Sequence, residues 1–133
     1  MSNNRKNRTF QKSICISEYQ HAGRGQKEKK WITQCGSSIA FSMFFMLTQK
    51  RNTALISIIV ALSVVEILSI VEINAFKLKW PNDIYFGLKK IAGILVSAKT
   101  EFNTHTKLTI GVGLNAKNFS DLVQTRTFYT NLK

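Results

Sequence analysis

The sequence predicts an α+β fold: a mixed, mostly antiparallel sheet with one long helix packed on it. Three observations carry this expectation. Apolar strand-like segments come both before and after a single helical stretch. A short polar link joins the last two strands as a hairpin would. The chain of 133 residues has room for one hydrophobic core and no second full domain. Hydrophobic residues make up 44% of it and proline occurs once, a composition that excludes a disordered chain. No internal repeat, low-complexity tract or Pro/Gly/Ser linker divides it.

Taken in order, residues 1–12 form a basic segment expected to be poorly ordered, 13–117 the folded domain, and 118–133 an irregular tail. Ser13 to Tyr19 has the character of a strand, and it delivers a polar, glycine-bearing loop from Gln20 to Lys30. Ser38 to Leu47 puts Ile39, Phe41, Met43, Phe45 and Leu47 on one parity and reads as a second strand. Thr53 to Val71 reads as the long helix, buried and amphipathic, covering one sheet face. Phe76 to Trp80 is a short strand stopped by Pro81-Asn82-Asp83, and Ile84 to Phe86 continues it after the turn. Ile91 to Lys99 and Lys107 to Leu114 complete the sheet, with Thr100 to Thr106 as their hairpin link.

A formal net charge of +12 favours anionic partners such as nucleotides, phosphates, acidic proteins or nucleic acid, without choosing among them. Basic residues crowd the first thirty positions, where a solvated basic face is the plain alternative. Cys15 lies in the apolar run Ile14-Cys15-Ile16, and both it and Cys35 read as reduced core residues of a cytoplasmic protein. His21 and His105 lack neighbouring Cys or His, so no metal site built by protein ligands is expected. The polar start is unlike a secretory signal. The apolar run Ala54 to Val65 is interrupted by Glu66 and Glu72 before it reaches a membrane-spanning length of roughly 20 residues.

Three constellations could carry chemistry. In Gly23-Arg24-Gly25, followed by a lysine-rich stretch and Trp31, glycines let the backbone approach an anion, Arg24 offers a forked donor and Trp31 a flat wall. An ordinary exposed turn competes with that reading, and the pattern is not a P-loop. In Lys77-Leu78-Lys79-Trp80-Pro81-Asn82-Asp83, alternation sets Lys77 and Lys79 on one face, where a fixed ammonium can neutralise a phosphoryl group under attack. Surface lysines with Trp80 in the core would explain the same residues. In Gly111-Val112-Gly113-Leu114-Asn115, small residues let a ligand lie against a strand and Asn115 offers both donor and acceptor, although strand-end glycines are common without a ligand. No Ser/His/Asp or Cys/His nucleophile set can be assembled.

Their combination in order is more specific than any one of them. The run from Glu18 to Gly25, then Lys79-Trp80-Pro81-Asn82-Asp83, Lys90-Ile91-Ala92-Gly93-Ile94-Leu95, and the Gly111 to Asn115 segment together resemble the catalytic domain of the biotin–protein ligases, within the biotin/lipoate ligase superfamily. The resemblance runs from about Ser13 to Lys117 and implies part of a class II aminoacyl-tRNA-synthetase-like fold. It implies ATP, biotin and Mg²⁺ as ligands: the biotin carboxylate joins the α-phosphate of ATP, pyrophosphate leaves, and a lysine of the biotin carboxyl carrier protein takes biotin from biotinyl-5′-AMP. By matched position, Gln20, Gly23, Arg24 and Gly25 would contact biotin and the adenylate, Lys79 would bridge carboxylate and α-phosphate, and Gly93 would admit the biotin ring. Asn115 would sit near the nucleotide, and Trp31 would join the ordering adenylate loop.

Several positions depart from the family pattern. Gln26 stands where a second arginine is usual and Glu28 where a glycine is, which implies a loop that closes poorly and leaks intermediate. Ser97 replaces a usual glutamate. The Asp-Ser-Thr-Asn stretch of the biotin pocket has no counterpart before Ser13, and neither a C-terminal SH3-like domain nor a DNA-binding helix-turn-helix domain is seen. Two other classes therefore stay open. One is a remnant that keeps the core without turnover; the other is a small basic nucleic-acid-binding protein, whose affinity would fall steeply with salt and ignore biotin. An exposed sheet edge would also suit a homodimer.

Overall fold

The computed structural model describes residues 12–47, 52–70, 76–101 and 105–115. Its strands are β1 (Lys12–Ser17), β2 (Ser38–Leu47), β3 (Phe76–Lys79), β4 (Asp83–Phe86), β5 (Lys89–Glu101) and β6 (His105–Asn115), with helix α1 (Thr53–Ser69) between β2 and β3. They form one six-stranded sheet in the order β1-β2-β6-β5-β4-β3. Every pairing among the described strands is antiparallel, so the parallel component expected of a mixed sheet is not found there. The basic segment ahead of Lys12, Val71, the hairpin tip and the tail 118–133 lie outside the described residues.

Alternation along β2, β5 and β6 gives the sheet two chemically different faces. Phe41, Met43 and Phe45 of β2, Ile94 and Val96 of β5, and Leu108, Ile110 and Val112 of β6 share the core side. Ile84 and Ile94 are fully buried there, and each stabilises the fold by about 1.5–3 kcal/mol relative to exposure. Most intervening positions, Ala40 and Ser42, Gly93 and Ser97, Thr109, Gly111 and Gly113, are small or hydroxylated, and together with Leu95 they line a cavity on the other face. The same strands thus supply a core and a shallow floor.

Helix α1 starts where the side chain of Asn52 accepts from Ala54 N at 3.0 Å and Leu55 N at 3.2 Å, satisfying two of the first-turn amides that have no helical partner. It packs over β3, β4 and β5. Its buried residues are the small Ser57 and Ala61 together with Leu68, flanked by half-buried Ile56, Val60 and Val64. The expected amphipathic pattern is not what the helix shows, because Leu55, Ile59, Leu62 and Ile67 on other sides are each more than half exposed. A helix apolar all round has the composition of one made to be covered on every side.

Two other expectations are corrected. Cys15 and Cys35 are exposed and are not core residues. β1 is an edge strand paired only with β2, at the opposite end of the sheet from α1, so Ile14 and Ile16 keep 68% and 72% of their surface despite their alternation. Trp80, at the β3–β4 turn, is 71% exposed and takes no part in the core.

The turns around the site are tightly specified. Gly87, with φ of +56°, lets β4 reverse into β5 over two residues. In the β3–β4 turn, the Asn82 carbonyl accepts from Ile94 N at 2.8 Å and the Asn82 side-chain amide donates to Ile94 O at 3.2 Å. Between β4 and β5 the register shifts: Ile84 pairs with Ala92 but Tyr85 pairs with Lys90, leaving Ile91 as the extra residue of a β-bulge.

Candidate functional site

The segment between β1 and β2 crosses the small-residue face of the sheet. It is pinned at its root by Gln20 N donating to Thr33 Oγ1 at 2.8 Å and folds back on itself through Trp31 N donating to Gly23 O at 2.9 Å. A bridge pairs Arg24 with Lys30, and a 3-10 turn at Gln26–Glu28 forms the tip. Gly23 is required by contact, since a Cβ there would run into the Trp31 carbonyl. Lys27 and Glu28 have φ of +51° and +60°, left-handed conformations that cost a residue bearing a Cβ about 1–2 kcal/mol.

The returning arm places Trp31 on the sheet. Gly93 and Gly113 are paired across β5 and β6, and the indole occupies the space their missing side chains leave: a Cβ at Gly93 would lie 3.1 Å from the ring and one at Gly113 would overlap it. The indole Nε1 is buried without a hydrogen-bond partner. Lys90 Nζ stands 5.6 Å from the Trp31 ring centroid and 2.7 Å from Asp83 Oδ1.

A cavity of about 260 Å³ runs from Lys90, Arg24 and Gln20 at one end over Gly93, Gly111 and Gly113 to Ser42, Ser97 and Thr109. A second, of about 450 Å³, adjoins it through Trp31, Asn82 and Lys90 and adds Lys27, Lys29 and Lys30. A trough with an uncharged floor therefore opens into a lysine-lined one, and Lys90 stands where they meet. Such an arrangement can hold a small carboxylic acid on the floor with its carboxylate turned toward a phosphate held by the lysines.

Of the residues expected from sequence, Gln20, Arg24, Gly25, Trp31 and Gly93 line the first cavity together, Gly23 shapes the loop above it, and Asn115 reaches the second. The Asn115 amide is largely committed to structure: its Oδ1 accepts from Ser38 Oγ at 2.9 Å, and its Nδ2 faces the Ile32 carbonyl at 3.5 Å. Lys79 is not brought to either of these cavities. It pairs with Asp83, two strands outward from Gly93, and its ammonium lies 5.5 Å from the Tyr85 ring centroid. Lys90 and Asn82 were missed, although both fall inside recognised motifs; the bulge at Ile91 hides Lys90 from any reading by alternation. Among the described residues no three metal-ligating side chains converge, and no helix is long and apolar enough to cross a membrane.

Residues 2–115 match the model of the biotin/lipoate A/B protein ligase family, and the chain belongs to that family. It is 36% identical over 102 residues to the bifunctional ligase/repressor BirA of Escherichia coli, covering 76% of this chain and 32% of that protein. It is 34% identical over 112 residues to biotin–protein ligase 2 of Arabidopsis thaliana, covering 80% of this chain and 33% of the relative. Among solved structures, the biotin protein ligase of Aquifex aeolicus in complex with biotin and ATP superposes with a TM-score of 0.61 at 31% identity, covering 86% of this chain and 47% of that one. The chain thus spans about a third of these curated relatives and just under half of that solved chain.

Proposed function

We propose that the chain carries out the chemistry of a biotin–protein ligase: ATP-dependent formation of biotinyl-5′-AMP and transfer of biotin to a lysine of a biotin carboxyl carrier protein in the cytoplasm. The observation that carries this reading is the junction at Lys90, where an uncharged floor for a small acid meets a lysine-lined trough for phosphate. Two anions must meet there, and their repulsion is the main barrier that fixed cations can lower.

In the first step a carboxylate oxygen of biotin attacks the α-phosphorus and pyrophosphate leaves. Lys90, rather than the Lys79 suggested by the motif, is the ammonium that faces both groups; Arg24 supplies the second cation from the loop. Lys27, Lys29 and Lys30 would accept the leaving phosphates. Gln20 would contact biotin, Gly93 and Gly113 keep the floor low, and Trp31 must share or yield its place over them. In the second step the acceptor lysine amine attacks the acyl carbon and AMP leaves. Asp83 is the carboxylate at the phosphate end and is engaged by Lys90, so Mg²⁺ would arrive with the nucleotide and neutralise its phosphates, held mainly by them. A homodimer through an exposed sheet edge is compatible with this arrangement.

The test is transfer of biotin to a purified carrier domain with Mg-ATP, with Lys90→Ala and Lys79→Ala in parallel. Labelling that falls about 10²–10³-fold in Lys90→Ala, and much less in Lys79→Ala, supports the assignment. No labelling by a folded wild-type chain would identify a remnant that has kept the site without turnover.

A further inference from the structure

We propose that Asp83 is a positioning residue, which holds the Lys90 ammonium at the junction of the two cavities. The inference rests on the ligase reading for its consequence in catalysis, but its structural part stands apart from it. In a strand with unbroken alternation, Lys90 would share a face with Ala92 and Ile94 and point toward α1. The bulge at Ile91 turns it over, so that Lys90 pairs with Tyr85 and lines the cavities.

A bulge selects the face but leaves a long, flexible side chain free to roam. Asp83 removes that freedom. It pairs with Gly93, which sets its carboxylate on the cavity side of the sheet. Its Oδ1 is buried from solvent and lies 2.7 Å from Lys90 Nζ. A buried carboxylate oxygen needs a counter-charge, so the attraction restrains both groups. The carboxylate is itself fixed, because Asn82, its chain neighbour, grips Ile94 through both its backbone and its side chain. The turn, the bulge and the ion pair thus determine where one positive charge stands, next to the Gly93–Gly113 floor.

The experiment compares wild type, Asp83→Asn and Asp83→Glu in two measurements. The first is the rate of acetylation of Lys90 by an N-hydroxysuccinimide ester, read by peptide mass spectrometry against exposed Lys99 in the same chain. An ammonium released from its carboxylate should react several-fold faster in Asp83→Asn, and Asp83→Glu should return toward wild type. The second is biotin-dependent pyrophosphate exchange. Misplacing a group by about 1 Å can cost on the order of 10² in rate, so kcat should fall at least tenfold in Asp83→Asn while KM for biotin changes less than about threefold, with partial recovery in Asp83→Glu. Equal acetylation of Lys90 in wild type and Asp83→Asn overturns the proposal, as does an unchanged kcat. Absence of exchange in wild type, with the acetylation difference intact, sinks the ligase reading and leaves the positioning role standing.

Discussion

Replacing Gly113 with alanine tests the packing of Trp31 on the sheet. The added Cβ would lie 2.7 Å from the indole Cζ2 and closer still to two other ring atoms, so the ring cannot stay where it is. Either the strands and ring deform, at about 1–3 kcal/mol for an overpacked site, or the indole swings off the floor and forfeits its burial, which for a large apolar group is also about 1.5–3 kcal/mol. The cheaper route sets the cost, so about 1–3 kcal/mol is expected either way, and a chain of this size should melt about 3–5 °C lower for each kcal/mol. Fluorescence in a Trp80→Phe background identifies the route: emission that shifts to the red reports an indole moved into water, and unshifted emission with lower stability reports deformation. Gly93→Ala is the graded control, because its Cβ would meet the ring at 3.1 Å and needs a displacement of only a few tenths of an ångström. If Gly113→Ala matches wild type in both melting temperature and emission, Trp31 does not rest on the glycine pair.

Other expectations follow from single positions. Glu28→Gly should relieve a left-handed residue, stabilise the chain by up to about 1 kcal/mol in urea unfolding, and lower the release of biotinyl-5′-AMP into solution. Asn52→Ala should cost about 1 kcal/mol through the lost helix cap, seen as a lower melting temperature. Cys15 and Cys35 should both titrate with Ellman's reagent in the native chain, without waiting for unfolding.

Much of the fold was legible because the pattern repeats over many residues. β2 was expected over Ser38 to Leu47 and spans those residues, since ten positions of alternating apolar character leave little freedom in register. The helix was expected over Thr53 to Val71, from its long apolar run, and is found at Thr53–Ser69. What alternation cannot convey is whether anything packs on the face it defines. Ile14-Cys15-Ile16 alternates as well as β2 does, yet it lies at a sheet edge beyond the reach of α1. Trp80 likewise has the apolar character of a core residue but sits on a turn whose direction is set by Asn82 gripping Ile94. Around the cavity, the loop residues Gln20, Arg24, Gly25 and Trp31 and the strand glycine Gly93, singled out from separate motifs, are brought together. Lys77 and Lys79 do share a face, paired with Tyr85 and Asp83; what alternation could not convey is that a one-residue bulge at Ile91 inverts the parity of β5 and turns Lys90 to that side as well. Asn115 lines the second cavity, and its Oδ1 also accepts from Ser38, a partner 77 positions away that local sequence could not reveal.

The order of strands in the sheet bears on when the site comes into being. β6 is the last strand of the described chain, yet it lies in the middle of the sheet, between β2 and β5. Before it is synthesised, the β1–β2 pair and the β3–β4–β5 meander have no strand in common, and closing them together requires contacts as distant as Ser38 with Asn115, the kind of long-range pairing that slows folding. Gly113 is the floor beneath Trp31 and reaches the sheet only with β6. On the ribosome, therefore, the loop, the lysines and Asp83 all emerge before β6, and the cavity cannot be complete until that strand has taken its place between β2 and β5.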